Sequence, residues 1–187
     1  DVILDLYLKY DKNSRVACET LATTNMVIIS GEVKSSSDKI NKESIENIIR
    51  EKVKDIGYEQ TGFDWQSMKI FNYLHEQSAD ISMGVDRISD EEVLGAGDQG
   101  IMFGYACSET SSFMPAPIFY AHKILEELSS YRKNNDSFFL PDSKSQVSMS
   151  YENGVPKKVE SLVVSTQHDE NASNSEIREK VIEIIEK

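Results

Sequence analysis

Gly95-Ala96-Gly97-Asp98-Gln99-Gly100-Ile101-Met102-Phe103-Gly104-Tyr105 joins clustered glycines to a short apolar run. The spacing G-x-G-x-x-G is typical of a dinucleotide-binding turn, which requires a strand before the glycines and a helix that begins at them. Here a polar, unpatterned segment precedes the glycines and the apolar residues 101–107 follow them. The apolar run predicts a buried strand over 100–108, so the glycines lead into a sheet.

Two hairpins are predicted on either side of this stretch. Residues 15–23 and 26–33 are apolar and β-branched runs joined at Thr24-Asn25, where asparagine tolerates a positive φ. Residues 146–151 and 159–166 flank Asn153-Gly154, which favours a type I′ turn. A further strand is predicted over 66–75 because its residues alternate between apolar and polar.

Four helical segments are predicted beside these strands. Residues 2–8 have the pattern of the final turns of a helix, and residues 41–56 form an amphipathic helix between Asn41 as N-cap and Gly57. A third helix covers 118–133, and Ser173 with Glu176 forms a capping box that opens the last helix. The expected fold class is α+β, with two layers: mostly antiparallel mixed sheets with helices on one face.

The first hairpin predicts an acidic patch. If Thr24 and Asn25 form its loop, Glu19 lies opposite Ser30 and Ala17 lies opposite Glu32. Glu19 and Glu32 then share one face as diagonal neighbours, roughly 7–8 Å apart. The pair is either part of a solvated face or a site for cations, and the pattern alone leaves both interpretations open.

Composition excludes several function classes. The formal charge of −12 argues against a nucleic-acid partner. No apolar run reaches the roughly 20 residues that span a bilayer. The absence of such a run favours a cytoplasmic protein without membrane association. Cys18 and Cys107 are far from any C-x-x-C spacing, so we expect free, half-buried thiols. The three histidines match no zinc-ligand spacing.

Taken whole, residues 95–105 resemble the signature of the S-adenosylmethionine synthetases, also called methionine adenosyltransferases. Four shorter motifs agree with this resemblance: Val16-Ala17-Cys18-Glu19-Thr20, Ser30-Gly31-Glu32, His75-Glu76-Gln77-Ser78 and Pro141-Asp142-Ser143-Lys144-Ser145-Gln146-Val147. The resemblance implies three similar, interleaved α/β domains. We therefore expect a first unit at 1–77, a loop at 78–95 and a second unit at 96–187. The family's His-Pro-Asp-Lys segment and its glycine-rich, lysine-containing segment do not occur in these 187 residues.

The resemblance also implies roles for individual residues, while the catalytic residues stay unknown. Glu19 matches the family's potassium ligand, and the residues that match the methionine end are Glu32, Gln77 and Asp98. An ATP-binding element is matched by Asp142 and Lys144. The mobile lid of the family corresponds to a segment that includes Gln77, Ser78, Asp80, Gly84, Asp86 and Arg87. Each residue has a plainer alternative: the glycines serve only a tight turn, Asp98 caps that turn, and Asp142 and Lys144 begin a solvated strand.

The activity that the resemblance implies is formation of S-adenosylmethionine from ATP and L-methionine, with release of phosphate and diphosphate. It further implies Mg²⁺, whose ligands lie mostly outside this chain, K⁺, and a homo-oligomer (dimer or tetramer) with each active site between subunits. We expect the chain alone to be inactive. The alternative is a non-catalytic, truncated or regulatory chain of the same family that binds a full-length partner; an unrelated acidic binding module is disfavoured by the signature.

Overall fold

The computed structural model describes residues 1–78, 99–134 and 138–186. The chain divides into two compact units, Asp1–Ile101 and Met102–Lys187. The predicted loop at 78–95 falls almost entirely outside the described residues. Among the residues that are described, no helix is long and apolar enough to cross a membrane.

The first unit is built around a three-stranded mixed sheet. Its elements are α1 (Val2–Tyr10), β1 (Arg15–Thr23), β2 (Met26–Lys34), α2 (Lys42–Ile56), β3 (Glu59–Gln60), β4 (Phe63–Asp64) and β5 (Lys69–Glu76). The strand order is β1-β2-β5, in which β1 is antiparallel and β5 parallel to β2. The short strands β3 and β4 form a separate antiparallel pair.

Local sequence explains the boundaries of these elements. Asn25 adopts a φ of 46° in the β1–β2 turn, and the register pairs Thr23 with Met26, as predicted. At the start of α2, the Asn41 side chain accepts a hydrogen bond from the Ser44 backbone at 2.9 Å. The helix ends at Gly57, which has a φ of 106°, a left-handed conformation that glycine adopts without strain.

Both helices of the first unit pack on one face of the sheet. The buried core contains Ile3 and Tyr7 of α1, Val27 and Ile29 of β2, Ile45 and Ile49 of α2, and Met68. Cys18 packs against this core as a free, half-buried thiol. Because side chains alternate along a strand, the residues between these core positions lie on the opposite face of the sheet, which we call the outer face.

The second unit is a helix–hairpin–helix arrangement. It contains α3 (Ala116–Asn134), β6 (Phe139–Glu152), β7 (Val155–His168) and α4 (Asn174–Ile185). The turn between the strands has positive φ at Asn153 (52°) and Gly154 (77°), as the sequence predicts. Its buried core consists of Ile124 and Leu128 of α3, Phe139 of β6 and Ile184 of α4. The capping box at Ser173 and Glu176 is present.

The prediction of a strand over 100–108 is wrong. Residues 101–107 have no regular secondary structure, and the side chains of Met102 and Phe103 are 93% and 89% exposed. An apolar run becomes a strand only where a neighbouring strand supplies hydrogen-bond partners, and none of the described strands pairs with these residues. The apolar pattern therefore identified a segment with a tendency to be buried, but not a strand of this unit.

Three other boundaries differ from the predictions. The second hairpin extends well beyond 146–151 and 159–166. The alternation pattern shows only part of it, because register shifts near Ser143, Met149 and Tyr151 interrupt the strict alternation. The strand predicted at 66–75 begins at Lys69 instead. The two-residue strands β3 and β4 were not predicted, since they are too short for a periodic pattern. The α+β class, with two layers and mixed sheets, is confirmed.

Candidate functional site

The outer face of the first unit carries most of the predicted site residues. The strand register arranges it in rows: Leu21, Ile28 and Phe71; then Glu19, Ser30 and Tyr73; then Ala17, Glu32 and His75. Arg15 and Lys34 form the next row, and Gln77 follows β5 at this end of the sheet. The outer face is thus apolar at one end and polar at the other, which suits a ligand that is itself apolar at one end and charged at the other.

Glu32 lies at the polar end of the outer face, next to His75. Its Oε1 is 3.5 Å from Nε2 of His75, and the two side chains are 32% and 64% exposed. No sequence pattern places His75 beside Glu32, because the parallel pairing of β5 with β2 joins residues that are 43 positions apart in sequence. An accessible carboxylate in this setting can accept hydrogen bonds from an ammonium group.

Glu32 also follows a glycine that the sheet requires. Gly31 has a φ of 140°, and a Cβ placed on it would lie 2.0 Å from the carbonyl oxygen of Ala17 on β1. Only glycine lets the two strands approach this closely next to Glu32. The Ser30-Gly31-Glu32 motif therefore has a steric basis as well as a chemical one.

Glu19 lies on the same face as Glu32, as predicted, because it pairs with Ser30 while Glu32 pairs with Ala17. Hard cations prefer oxygen ligands, and the side chains of Glu19 and Ser30 both supply oxygen atoms of this type. The described residues contain no group of three or more His, Cys, Asp or Glu side chains that could hold a metal. A cation at Glu19 would therefore need further oxygen ligands.

Gln77 is fixed against the same sheet. Its backbone nitrogen donates to the Val33 carbonyl at 2.9 Å, and its side-chain Oε1 accepts a hydrogen bond from Arg15 Nε at 3.0 Å. Gln77 and Ser78 are the members of the predicted lid that lie among the described residues. Asp80, Gly84, Asp86, Arg87 and Asp98 lie outside the described residues.

In the second unit, Asp142 and Lys144 share the exposed face of β6. The alternating residues Ser143 and Ser145 bond instead to Thr166 Oγ1 at 2.7 Å and to the Ala121 carbonyl at 2.6 Å. These bonds hold β6 against β7 and α3, so the strand displays the aspartate and the lysine on a rigid support. An exposed lysine of this kind can contact a phosphate as a point charge.

Glu109 is a further residue whose contacts no sequence pattern predicts. Its Oε2 accepts hydrogen bonds from the Ala116 backbone at 2.8 Å and from the Tyr151 hydroxyl at 2.7 Å. The bond from Ala116, followed by that from Tyr151, lowers the pKa of Glu109. The same carboxylate raises the pKa of Tyr151 to about 12. No pattern in the sequence links residues 109 and 151, because the contact depends on how the hairpin folds back.

Comparison with known proteins identifies the family of this chain. The model for the N-terminal domain of S-adenosylmethionine synthetase matches residues 1–79, and the model for its central domain matches residues 93–187. An S-adenosylmethionine synthase from Rhodospirillum centenum is 54% identical over 182 residues, which cover 97% of this chain and 46% of that protein. One from Zymomonas mobilis is 53% identical over the same length and with the same coverage.

A solved structure gives the same result. The structure described as an unusual S-adenosylmethionine synthetase from Campylobacter jejuni superimposes with a TM-score of 0.84 at 34% identity, covering 98% of this chain and 47% of that one. This chain spans about half the length of the curated relatives that it matches. With both family models matching in order along the chain, it belongs to the S-adenosylmethionine synthetase family.

Proposed function

We propose that this chain forms part of a methionine adenosyltransferase, which makes S-adenosylmethionine from ATP and L-methionine and releases phosphate and diphosphate. The observation that carries the proposal is the outer face, where the accessible Glu32 carboxylate lies two rows from the apolar row of Leu21, Ile28 and Phe71. Methionine has a charged end and an apolar thioether end, so it matches this gradient.

The reaction places modest demands on the protein. The methionine sulfur attacks the ribose 5′ carbon of ATP, the C–O bond to the triphosphate breaks, and the sulfur becomes a sulfonium. No proton is transferred in this step, so no general base is required; water then hydrolyses the departed triphosphate to phosphate and diphosphate. The protein must instead hold sulfur and carbon in line and balance the charge of the departing triphosphate.

The residues of this chain divide between the two substrates. Glu32 accepts hydrogen bonds from the ammonium group of methionine. Gln77 borders the same end of the sheet, where it is held by hydrogen bonds with Arg15 and Val33. Lys144 places a positive charge against the nucleotide phosphates, with Asp142 beside it on β6. Exposed, well-supported side chains suit both roles because they can reach a ligand without rearrangement of the backbone.

Metal ions complete the charge balance in this proposal. Glu19, with the Ser30 hydroxyl opposite it, would hold K⁺ through oxygen ligands. Mg²⁺ would neutralise triphosphate charge through ligands that lie mostly outside this chain. We also propose that residues 1–187 do not complete the site alone, because they match only 46% of the length of the Rhodospirillum centenum relative.

A second copy of the protein is proposed to cover the apolar end of the outer face. Leu21 and Tyr73 are 62% and 61% exposed there, and Phe71 is 38% exposed. Contiguous apolar side chains on a sheet face commonly mark an interface between proteins. The assembly would be a homo-oligomer, a dimer or tetramer, with its active site between subunits, working in the cytoplasm.

The proposal is tested with the purified protein that carries these residues. Incubation with ATP, methionine, Mg²⁺ and K⁺ should give S-adenosylmethionine in equal amount to phosphate and to diphosphate. Lys144→Ala should raise the KM for ATP by about tenfold, the effect of losing one charge-assisted contact, while Lys157→Ala on the same hairpin should not. Cleavage of ATP without S-adenosylmethionine would contradict the proposed function.

A further inference from the structure

Arg15 holds the side chain of Gln77 across the outer face of the first unit. The register pairs Arg15 of β1 with Lys34 of β2, and it pairs Val33 with Glu76 of β5, so Gln77 continues the row beyond Lys34. Nε of Arg15 donates a hydrogen bond to Oε1 of Gln77 at 3.0 Å. The arginine side chain therefore crosses β2 and links β1 to the residue that follows β5.

This hydrogen bond fixes the orientation of the Gln77 amide. A guanidinium group carries only donors, so the amide atom that faces Arg15 must be the acceptor Oε1. The NH2 group of the amide is then turned away from Arg15, and an amide NH2 group only donates hydrogen bonds. Arg15 thus determines that the opposite end of the Gln77 side chain presents donors to a ligand.

Both partners of this bond are also held through their backbones. The Gln77 nitrogen donates to the Val33 carbonyl at 2.9 Å, which extends the pairing of β5 with β2 by one residue. Ser14, which precedes Arg15, is 9% exposed, and its hydroxyl donates to Oγ of Ser35 at 2.9 Å. Because the backbone is fixed on both sides, loss of the Arg15 donor would free the amide of Gln77 rather than the strands.

Gln77 lies one row from Glu32 on the outer face. Glu32 shares its row with His75, and Gln77 comes two residues after His75 on the same side of β5. Rows of a sheet are roughly 7 Å apart, so two long side chains in adjacent rows can contact one amino-acid head group. A carboxylate only accepts hydrogen bonds, whereas the Gln77 NH2 group only donates them. The pair therefore matches the ammonium and the carboxylate of an α-amino acid.

The charges along the strands have the same order. Arg15 and Lys34 place positive charge in the row of Gln77, and Glu32 places negative charge one row away. A carboxylate is attracted to the first row and an ammonium group to the second. An amino-acid head group bound in the opposite direction would meet like charges at both ends, so the arrangement favours one direction of binding.

We infer that Arg15 is a positioning residue, which directs the NH2 group of Gln77 towards the carboxylate of methionine and so makes the site selective for ligands that carry a carboxylate. This inference deepens the proposed function and rests on it. Arg15 is assigned no contact with methionine, because it acts through Gln77. Arginine suits this role because its Nε–H has a fixed direction in the guanidinium plane, whereas the three N–H groups of lysine rotate.

The test compares Arg15→Met, Arg15→Lys and a control, Lys12→Met, in the protein that carries these residues. Arg15→Met removes both the donor and the charge, whereas Arg15→Lys keeps the charge without Nε. Lys12 is an exposed lysine of the loop before β1, and its side chain makes no hydrogen bond or ion pair within the described residues. Two ligands are compared: methionine, through its KM, and methylthiopropylamine, which is methionine without its carboxylate, through its inhibition constant.

For Arg15→Met we expect the KM for methionine to rise about tenfold, the effect of losing one hydrogen bond to a charged group. The inhibition constant of methylthiopropylamine, the KM for ATP and kcat should stay nearly constant. Arg15→Lys should raise the KM for methionine less, because an ammonium group can donate to Oε1 without fixing its direction. Lys12→Met should match the unmodified protein in every readout.

A double-mutant cycle tests whether Arg15 acts through Gln77. Gln77→Ala should itself raise the KM for methionine, and adding Arg15→Met to it should raise this KM less than about twofold further, because both changes remove the same contact. If Arg15→Met raises the KM as much in the Gln77→Ala background as in the unmodified protein, Arg15 acts without Gln77 and the inference is wrong.

Two other results would overturn the inference. If Arg15→Met raises the KM for methionine and the inhibition constant of methylthiopropylamine by the same factor, Arg15 supports the site without serving the carboxylate. If neither Arg15 variant raises the KM for methionine, the orientation of the amide has no effect on binding. Should Arg15→Met fail to fold, Arg15→Lys decides, because it must raise the KM for methionine without changing the inhibition constant of the amine.

The unmodified protein separates this inference from the proposed function. If it makes no S-adenosylmethionine from ATP and methionine, the proposed function is refuted. Dissociation constants of methionine and of methylthiopropylamine, measured by calorimetry on the same variants, would then still decide the role of Arg15. Weaker binding of methionine alone in Arg15→Met would support the positioning role, and equal changes for both ligands, or no change for either, would refute it.

Discussion

Oε1 of Glu32 lies 3.5 Å from Nε2 of His75, across the parallel pair formed by β2 and β5. The contact joins the residue proposed to hold methionine to a residue on the neighbouring strand. Both side chains are accessible, and the separation is longer than that of a strong hydrogen bond. His75 therefore orients the Glu32 carboxylate weakly and leaves it available to a ligand.

Replacing His75 should affect methionine modestly. His75→Ala removes the group that orients Glu32, and accessible pairs of this kind contribute little, so the KM for methionine should rise by less than about fivefold. His75→Gln keeps a hydrogen-bond donor and should give a smaller increase. Steady-state kinetics with methionine varied at saturating ATP would measure both. A larger defect in ATP use than in methionine use would show that His75 acts elsewhere.

Replacing Gly31 should destabilise the β1–β2 pair. A methyl group at this position would overlap the Ala17 carbonyl and would require a φ of 140°, so Gly31→Ala should lower the free energy of unfolding by about 2–4 kcal/mol. Gly62→Ala is the matched control, because Gly62 also has a positive φ, 86°, but nothing within 4 Å of its Cβ position. Equal urea midpoints for the two variants would rule out the steric conflict.

Asp11 should contribute to stability against acid. Hydrogen bonds from the backbone of Ser36 and then of Asn13 lower the pKa of Asp11 to about 2. Its value in the unfolded chain is about 3.9, so its contribution is present above about pH 4 and is lost as the pH falls through about 2. Urea midpoints of the original protein and of Asp11→Asn should therefore differ at pH 6 and converge towards pH 2.

The control for this measurement is Asp38→Asn. Asp38 is an exposed aspartate that makes no hydrogen bond within the described residues, so its removal should leave the pH dependence of the midpoint unchanged. Other carboxylates with lowered pKa, such as Asp64, are present in all three proteins and cancel in the differences. A constant gap between the original protein and Asp11→Asn from pH 6 to pH 2 would contradict the assignment.

Local chemistry made much of the fold predictable. Asn25 and Asn153-Gly154 set the two turns, and the turn at Asn25 fixes the register that brings Glu19 and Glu32 to one face. Asn41 and Ser173 cap helices through side-chain contacts within three residues. Such features need no information from distant parts of the chain.

Features that depend on distant contacts were not predictable in the same way. The parallel pairing that places His75 beside Glu32 spans all of α2, and the contact of Glu109 with Tyr151 spans α3 and β6. The predicted strand at 100–108 failed for the same reason, because an apolar sequence cannot show whether a partner strand is present. Residue roles at the site came from family resemblance and stay proposals.

The central claim, that the outer face holds methionine through Glu32, is tested most directly by the kinetics of Glu32→Gln. Losing one charge-assisted hydrogen bond should cost about 1.5–3 kcal/mol, which corresponds to a KM for methionine raised about 10- to 100-fold. The KM for ATP should change little, and Glu51→Gln, which removes an exposed carboxylate of α2, should change neither. An equal rise in both KM values for Glu32→Gln, or no rise in either, would contradict the account.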